Sequence, residues 1–280
     1  QISDAQDTAR ELNLANIDLR ALSILDIAED LGQFDYILCH GVYSWVPPEV
    51  QDKILQVCAR QLAHHGVAYV SYNCYPGWHA RGAIREMLWY HTEQYEDPKT
   101  RIRAARGLLA FLARAAPAGT SDGGYNSLIR HELALLLMTP DTYLLHEHLE
   151  EFNEPLYFHQ FASRAAAKGL QYLGEAQLSA MVPSRFGADI EKTLRAISPD
   201  LLHMEQYMDF LRNRMFRQTL LCRADLTPHY ALSADKIRDF YIASPAKAVS
   251  ANPDLASDSP EQFKGPHDPT LTTRDPLMKA

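Results

Sequence analysis

Residues 34–73, FDYILCHGVYSWVPPEVQDKILQVCARQLAHHGVAYVSYN, decide the fold class. The apolar run Phe34 to Leu38 reads as a short buried strand. Pro47 and Pro48 then suit the first turn of a helix, where a missing amide proton costs nothing. Its apolar positions Val50, Ile54, Val57, Cys58 and Leu62 fall on one face, and Gly66 is the expected stop. GVAYVSYN is the next strand. Strand, helix and strand at this spacing make a parallel crossover unit of a doubly wound α/β sheet.

Upstream, Gln1 to Leu14 carries helical periodicity (Ile2, Ala5, Ala9, Leu12), and NIDLRALSILDI offers a strand with alternating Ile17 and Leu19. Downstream, the pattern from Pro76 to about Met215 is helical, with starts at Ala80, Pro98, Thr139, Glu154 and Ser198 and a stop at Gly169. LQYLGEA interrupts it as one more strand, placed to return to the first sheet. After Pro228 the texture changes: five prolines lie between Pro253 and Pro276, and IRDFYIA is a brief strand candidate. That region reads as a linker or as the extended start of a further domain. Both ends read as internal to a longer chain, since the first helix lacks a cap and Asp275-Pro276 opens a helix at the last residues.

Of the 280 residues, 46% are hydrophobic, enough to fill a core. The net charge of -8 argues against a phosphate-binding face, so no nucleic-acid partner is expected. Arg212, Arg214 and Arg217 form the densest basic spot and, with Glu205 and Asp209, read as a solvated, ion-paired helix face. Cys39, Cys58, Cys74 and Cys222 show no CxxC spacing, which suggests a reducing compartment. No stretch approaches the roughly 20 apolar residues of a membrane span, and a cytoplasmic location follows as the default.

In open α/β sheets, ligands bind beyond the carboxyl ends of the strands. Three such ends are unusually furnished: Asp26 and Ile27; His40, Gly41, Val42, Tyr43, Ser44 and Trp45; and Tyr72, Asn73, Pro76, Gly77 and Trp78. Each has a plainer reading. Asp26 also fits a turn cap, His40 a structural histidine, and Trp45 and Trp78 simple packing. Their repetition at adjacent strand ends favours a pocket. Metal binding is disfavoured, because His146 and His148 stand two apart and point to different sides of a helix. Neither a G-x-S-x-G elbow nor a phosphate-binding G-x-x-x-x-G-K-[ST] loop is present, so acyl transfer and nucleotide hydrolysis have no support.

The run DIAEDLGQFDYILCHGVYSWVPPEVQDKIL, followed by GVAYVSYNCYPGWHARGAIREML, resembles bacterial S-adenosylmethionine-dependent methyltransferases that carry a methyltransferase regulatory domain. HEHLEEFNEPLYFHQFASRAAAKGLQYLGEA resembles the signature of that regulatory domain. Rickettsial protein lysine methyltransferases are similar in this layout. The resemblance implies a partial Rossmann-like class I methyltransferase sheet, then a mostly helical domain and a short extended C-terminal segment. The implied boundaries are 1–97 for the C-terminal part of the methyltransferase core, 98–186 for the helical regulatory domain, 187–227 for a helical connector and 228–280 for the start of a C-terminal module or linker.

By the same resemblance the cofactor is S-adenosylmethionine. Asp26 and Ile27 would hold its adenine, His40, Gly41 and Val42 would border the methyl group, and Tyr43 to Trp45 with Tyr72 to Trp78 would form the acceptor pocket. The glycine-rich turn and the acidic residue that hold the rest of the cofactor would lie before Gln1, so the chain alone is expected to be inactive. Tyr and Trp faces suit a sulfonium or ammonium, through cation–π attraction of roughly 0.5 to 2 kcal/mol. Three functions stay open: methylation of protein lysine, methylation of a small molecule, and a non-catalytic regulatory or interaction module. No residue stands out as general base.

Overall fold

The computed structural model describes residues 1–28, 31–115, 123–230, 243–266 and 270–279. The chain forms two compact units, Gln1–Pro228 and His229–Ala280.

The first unit opens with α1 (Ile2–Glu11) and a short 3-10 turn, Ile24–Asp26. Then come β1 (Phe34–Cys39), a second 3-10 turn at Tyr43–Trp45, α2 (Pro48–Gln61) and β2 (Leu62–Asn73). The helical stretch comprises α3 (Trp78–Thr92), α4 (Pro98–Ala115), α5 (Gly123–Met138), α6 (Asp141–Leu149) and α7 (Phe158–Ala166). The unit closes with β3 (Leu170–Glu175), α8 (Ala188–Ile197), α9 (Leu201–Arg212) and β4 (Phe216–Arg223).

β1 and β2 pair in parallel across the α2 crossover, as the sequence predicts. The sheet runs in the order β1-β2-β4-β3, and β4 pairs antiparallel with both of its neighbours. LQYLGEA does return to the first sheet, as β3. The fold is thus mixed α/β, with a parallel pair extended by two antiparallel strands.

Three expectations are corrected. The helix expected from Glu154 starts at Phe158, because Pro155 holds the residue before it in extended backbone. The NIDLRALSILDI segment forms no strand: the Ser23 hydroxyl accepts from the Leu25 amide at 3.3 Å and folds Ile24–Asp26 into a 3-10 turn. Nor does α2 reach Gly66. It ends at Gln61, and β2 begins at once because Leu62 pairs with Phe34. Register then jumps to Tyr36 opposite Val67, so residues 63–66 bulge. A β-carbon on Gly66 would lie 2.9 Å from the Phe34 carbonyl oxygen; this glycine serves a close strand approach rather than a helix stop.

The main core joins α2, β2 and α7 through Leu55, Cys58, Val70, Tyr72 and Phe161. Each large apolar side chain buried there contributes roughly 1.5–3 kcal/mol. A separate cluster, including Ile84, Leu88, Leu109, Leu133 and Leu144, packs α3, α4, α5 and α6 into a helical layer.

The second unit holds a three-stranded antiparallel sheet, β5 (Lys247–Ala248), β6 (Glu261–Lys264) and β7 (Thr270–Thr273), followed by α10 (Pro276–Lys279). The Lys279 ammonium is buried against the carbonyls of Asp254, Ser257 and Ser259. The IRDFYIA strand candidate lies outside the described residues, apart from Ala243. Among the described residues, no helix is long and apolar enough to cross a membrane. All four cysteines are free thiols.

Candidate functional site

The turn after β1 is built on β2. Gly41 donates its amide to Ser71 Oγ at 2.8 Å, from a backbone φ of +67° that favours glycine. His40 Nδ1 lies 2.8 Å from the Tyr69 hydroxyl and 3.3 Å from Ser71 Oγ, with its ring on the exposed side of the turn. Val42 packs against the core, and the chain then folds into Tyr43–Trp45. Ser44 Oγ accepts the Asn73 amide at 2.8 Å, which ties the ends of β1 and β2 together.

Tyr43 and Tyr72 form the floor of this arrangement. Both are buried, Tyr43 edge-on to Phe161 at 5.2 Å and Tyr72 stacked on it at 4.1 Å. Burial raises the pKa of both phenols; Arg164 beside Tyr43 offsets only part of that. They stay neutral and rigid. Thr219 spends its hydroxyl proton on Glu175, so the Tyr72 hydroxyl donates to Thr219 Oγ1, at 3.2 Å.

The wall is Trp45 and Trp78, in T-shaped contact at 6.1 Å, with His146 of α6 at 4.7 Å from Trp45. The Arg81 guanidinium lies 5.6 Å from the centre of the Trp78 ring. Beyond Asn73 the chain turns through Pro76 and Gly77 into α3. Gly77 donates its amide to the Arg214 carbonyl at 2.9 Å, and Cys74 donates to the Met215 carbonyl at 2.8 Å.

The structure therefore joins His40 through Trp45 to Tyr72, Asn73, Gly77 and Trp78 in one connected cluster. Asp26 and Ile27 are tied to α2 instead. Lys53 Nζ donates to the Ile27 carbonyl at 2.9 Å, Ile27 is half-buried, and the Asp26 carboxylate is exposed. A β-carbon on Gly41 would meet nothing within 4 Å.

Two features escaped the sequence reading. The first is a strap, Asn153–Tyr157, laid across both strand-end turns: Glu154 donates its amide to the Ser44 carbonyl at 2.8 Å, and Leu156 donates to the Asn73 carbonyl at 3.1 Å. The second corrects the solvated basic face. Arg217 is not helical and not solvated; it lies on β4 with 0% exposure. It donates to Glu175 at 2.7 Å, to Asp209 at 2.7 and 2.9 Å and to Glu205 at 3.0 Å, over the ring of Phe158 at 3.8 Å. Arg214 adds a second bond to Glu175 at 2.6 Å. Burial alone would lower the Arg217 pKa, but Glu175 and Asp209 outweigh it and hold the guanidinium charged. Burial raises the Glu205 and Asp209 carboxyls. Asn213, at φ 49°, ends α9 and was the available signal that Arg214 and Arg217 leave the helix.

Among the described residues, no group of three or more His, Cys, Asp or Glu side chains could hold a metal ion. The cluster offers oriented rings and hydrogen bonds at the carboxyl ends of two adjacent strands.

A family model described as a predicted methyltransferase regulatory domain matches residues 140–223. The chain is 40% identical over 287 residues to the protein RP789 of Rickettsia prowazekii (strain Madrid E), covering 100% of this chain and 51% of that protein. It is 42% identical over 173 residues to RP028 of the same strain, covering 62% of this chain and 68% of that protein. Among solved structures, PKMT2 from Rickettsia typhi matches with a TM-score of 0.83 at 38% identity, over 100% of this chain and 53% of that one. PKMT2 in complex with AdoHcy matches with a TM-score of 0.82 at 38% identity, over 99% and 54%. The chain spans about half the length of RP789 and PKMT2. With the fold shared and identity of this order, the chain belongs to the same family as these rickettsial proteins, and its residues 140–223 carry a predicted methyltransferase regulatory domain.

Proposed function

We propose that the chain supplies the acceptor side of a cytoplasmic S-adenosylmethionine-dependent methyltransferase acting on protein lysine. The observation that carries this reading is the match of 99% of the chain to PKMT2 solved with AdoHcy. The furnished strand ends support it independently.

When bound, the cofactor supplies an electrophilic methyl group on a sulfonium. The chain's own residues position and exclude. Asp26 would accept a hydrogen bond from the adenine amine, and Ile27 would pack beside the ring. Gly41 admits the cofactor close to the backbone. Trp45 and Trp78, in contact with each other and with His146, would border the acceptor, and the buried pair Tyr43 and Tyr72 would support the turn beneath them. Methyl transfer is an in-line displacement, so alignment of this kind is most of what the protein must provide.

The test is calorimetric titration of S-adenosylhomocysteine into the chain alone and into the chain extended to the full length of a relative such as RP789. Binding by the extended form, followed by methyl transfer to lysine-bearing polypeptides and not to free amines, is the expected result. Binding with transfer to small acceptors alone would favour a small-molecule enzyme. If neither form binds, methyl transfer is the wrong reading and an interaction module replaces it.

A further inference from the structure

Residues 153–157, NEPLY, lie between α6 and α7 inside the stretch matched by the regulatory-domain model, yet they bond chiefly to the strand-end turns. Asn153 Oδ1 accepts from Asn73 Nδ2 at 3.0 Å. Glu154 donates its amide to the Ser44 carbonyl. Leu156 donates to the Asn73 carbonyl and accepts from the Tyr75 amide, both at 3.1 Å, an isolated parallel bridge at Cys74. The Tyr157 hydroxyl lies 3.0 Å from His79 Nε2. Five consecutive residues thus crosslink two turns that come from different strands.

The strap is stiff and anchored. Pro155 restricts Glu154 to extended backbone, and Leu156 is buried in the main core. Arg164 of α7 holds the Glu154 carboxylate at 2.8 Å and Gln51 of α2 at 2.7 Å. At the other end α6 carries His146, whose ring lies tilted against Trp45 at 4.7 Å. A displacement of α6 or α7 is therefore delivered to Ser44, Trp45 and Asn73 together.

We propose that this strap is the element through which the regulatory-domain residues set the acceptor side of the site, with Asn153 as its positioning residue. The proposal rests on the methyl-transfer reading for its consequence, but not for its geometry.

Hydrogen–deuterium exchange of Asn153→Ala and Asn153→Asp against the parent chain tests the geometry. Asp keeps the oxygen that accepts from Asn73, so it restores what Ala removes. The expected result is faster exchange at residues 73–78 in N153A, parent-like exchange in N153D, and unchanged exchange in α4. Equal exchange in N153A and parent, or an Asp variant as loosened as the Ala variant, overturns the proposal.

In whichever form transfers methyl groups, N153A should lower kcat about three- to tenfold, the worth of one hydrogen bond. Affinity for S-adenosylhomocysteine should stay within about twofold, and N153D should recover the rate. Loosened turns with an unchanged kcat would overturn the positioning role while leaving the methyltransferase reading intact. If no form transfers methyl groups, that reading falls and the exchange result alone decides the strap. Should N153A fail to fold, Tyr157→Phe removes only the hydroxyl facing His79; faster exchange at residues 75–79 would then support the strap, and parent-like exchange would refute it.

Discussion

The Gly77 amide donates to the Arg214 carbonyl at 2.9 Å, and the two backbones are so close that a β-carbon on residue 77 would fall 2.6 Å from that same carbonyl oxygen. It would also fall 2.6 Å from the Asn213 carbonyl and 2.3 Å from Met215 Cγ. Gly77 has an ordinary helical backbone, φ -59°, so the requirement is for space and not for an unusual dihedral.

Gly77→Ala should therefore destabilise the protein by about 1 to 3 kcal/mol, the cost of overpacking against backbone that cannot yield. Gly82→Ala, inside α3 with nothing near its β-carbon position, should instead stabilise by about 0.5 to 1 kcal/mol. Urea denaturation of both variants checks the contrast; an unaffected Gly77→Ala would mean that the turn can move away from Arg214.

Arg217→Met should cost about 3 to 5 kcal/mol or prevent folding, because it strands buried carboxylates without their shared cation. Three carboxylates face two guanidiniums in this cluster, and Glu205 Oε1 has no hydrogen-bond partner. Glu205→Gln removes the surplus charge and should be neutral or stabilising. Burial raises the Glu205 carboxyl despite the pull of Arg217, so the folded chain holds that proton more tightly than the unfolded chain. Its contribution is present at acid pH and lost as pH rises through the raised value. The advantage of Glu205→Gln over the parent should accordingly be larger at pH 8 than at pH 4, below the ordinary carboxyl range, and a constant gap would contradict the reading.

His148 is fully buried, and neither ring nitrogen has a hydrogen-bond partner. Burial, reinforced by Arg81 and Arg85, pushes its pKa down to about 3. Below a pH of about 6.5 the unfolded chain takes up a proton that the folded chain refuses, so stability falls by about 1.4 kcal/mol per pH unit from this residue. Relative to the parent, His148→Leu should gain about 2 kcal/mol between pH 7 and pH 5. Denaturant titrations at the two pH values measure it.

Burial pushes the Cys58 thiol up to about 12 and the Cys39 thiol up to about 11, and raises Cys74 and Cys222 as well. Thiolate is the reactive form. Iodoacetamide at pH 8 should leave all four unlabelled in the native protein and label all four in urea, as counted by intact mass. Rapid native labelling of Cys58 or Cys74 would show that the core opens.

The legible parts of the fold were the local ones. Pro47-Pro48 and the spacing of Ile54 and Cys58 announce α2, and the apolar runs on either side announce a parallel pair. Gly66 misled because a glycine after a helical pattern reads as a stop, whereas here it relieves a contact with Phe34 that exists only once β1 and β2 have paired. Arg217 misled for a related reason. Its neighbours continue the charge pattern of α9, and nothing local states that FRQTLLCR alternates across a sheet, burying Arg217, Thr219 and Leu221 on one side. At the candidate site, the rings after each strand were readable as a cluster. The strap was not, because its bonds to Ser44, Asn73 and Tyr75 are made by backbone groups, which carry no pattern of their own.

The placement of β4 between β2 and β3 also sets a schedule. Tyr72 and Thr219 touch across 147 residues of chain, so a ribosome must deliver nearly all of the first unit before β2 gains its second neighbour. Contacts of such long range are formed slowly and late. Until β4 emerges, the hydrogen-bonding edge of β2 stands open to other nascent chains. The turn that Arg214 and Met215 support cannot mature before then either. The strand-end turn after β2 is in this sense a checkpoint on synthesis: it takes shape only in a chain translated past β4.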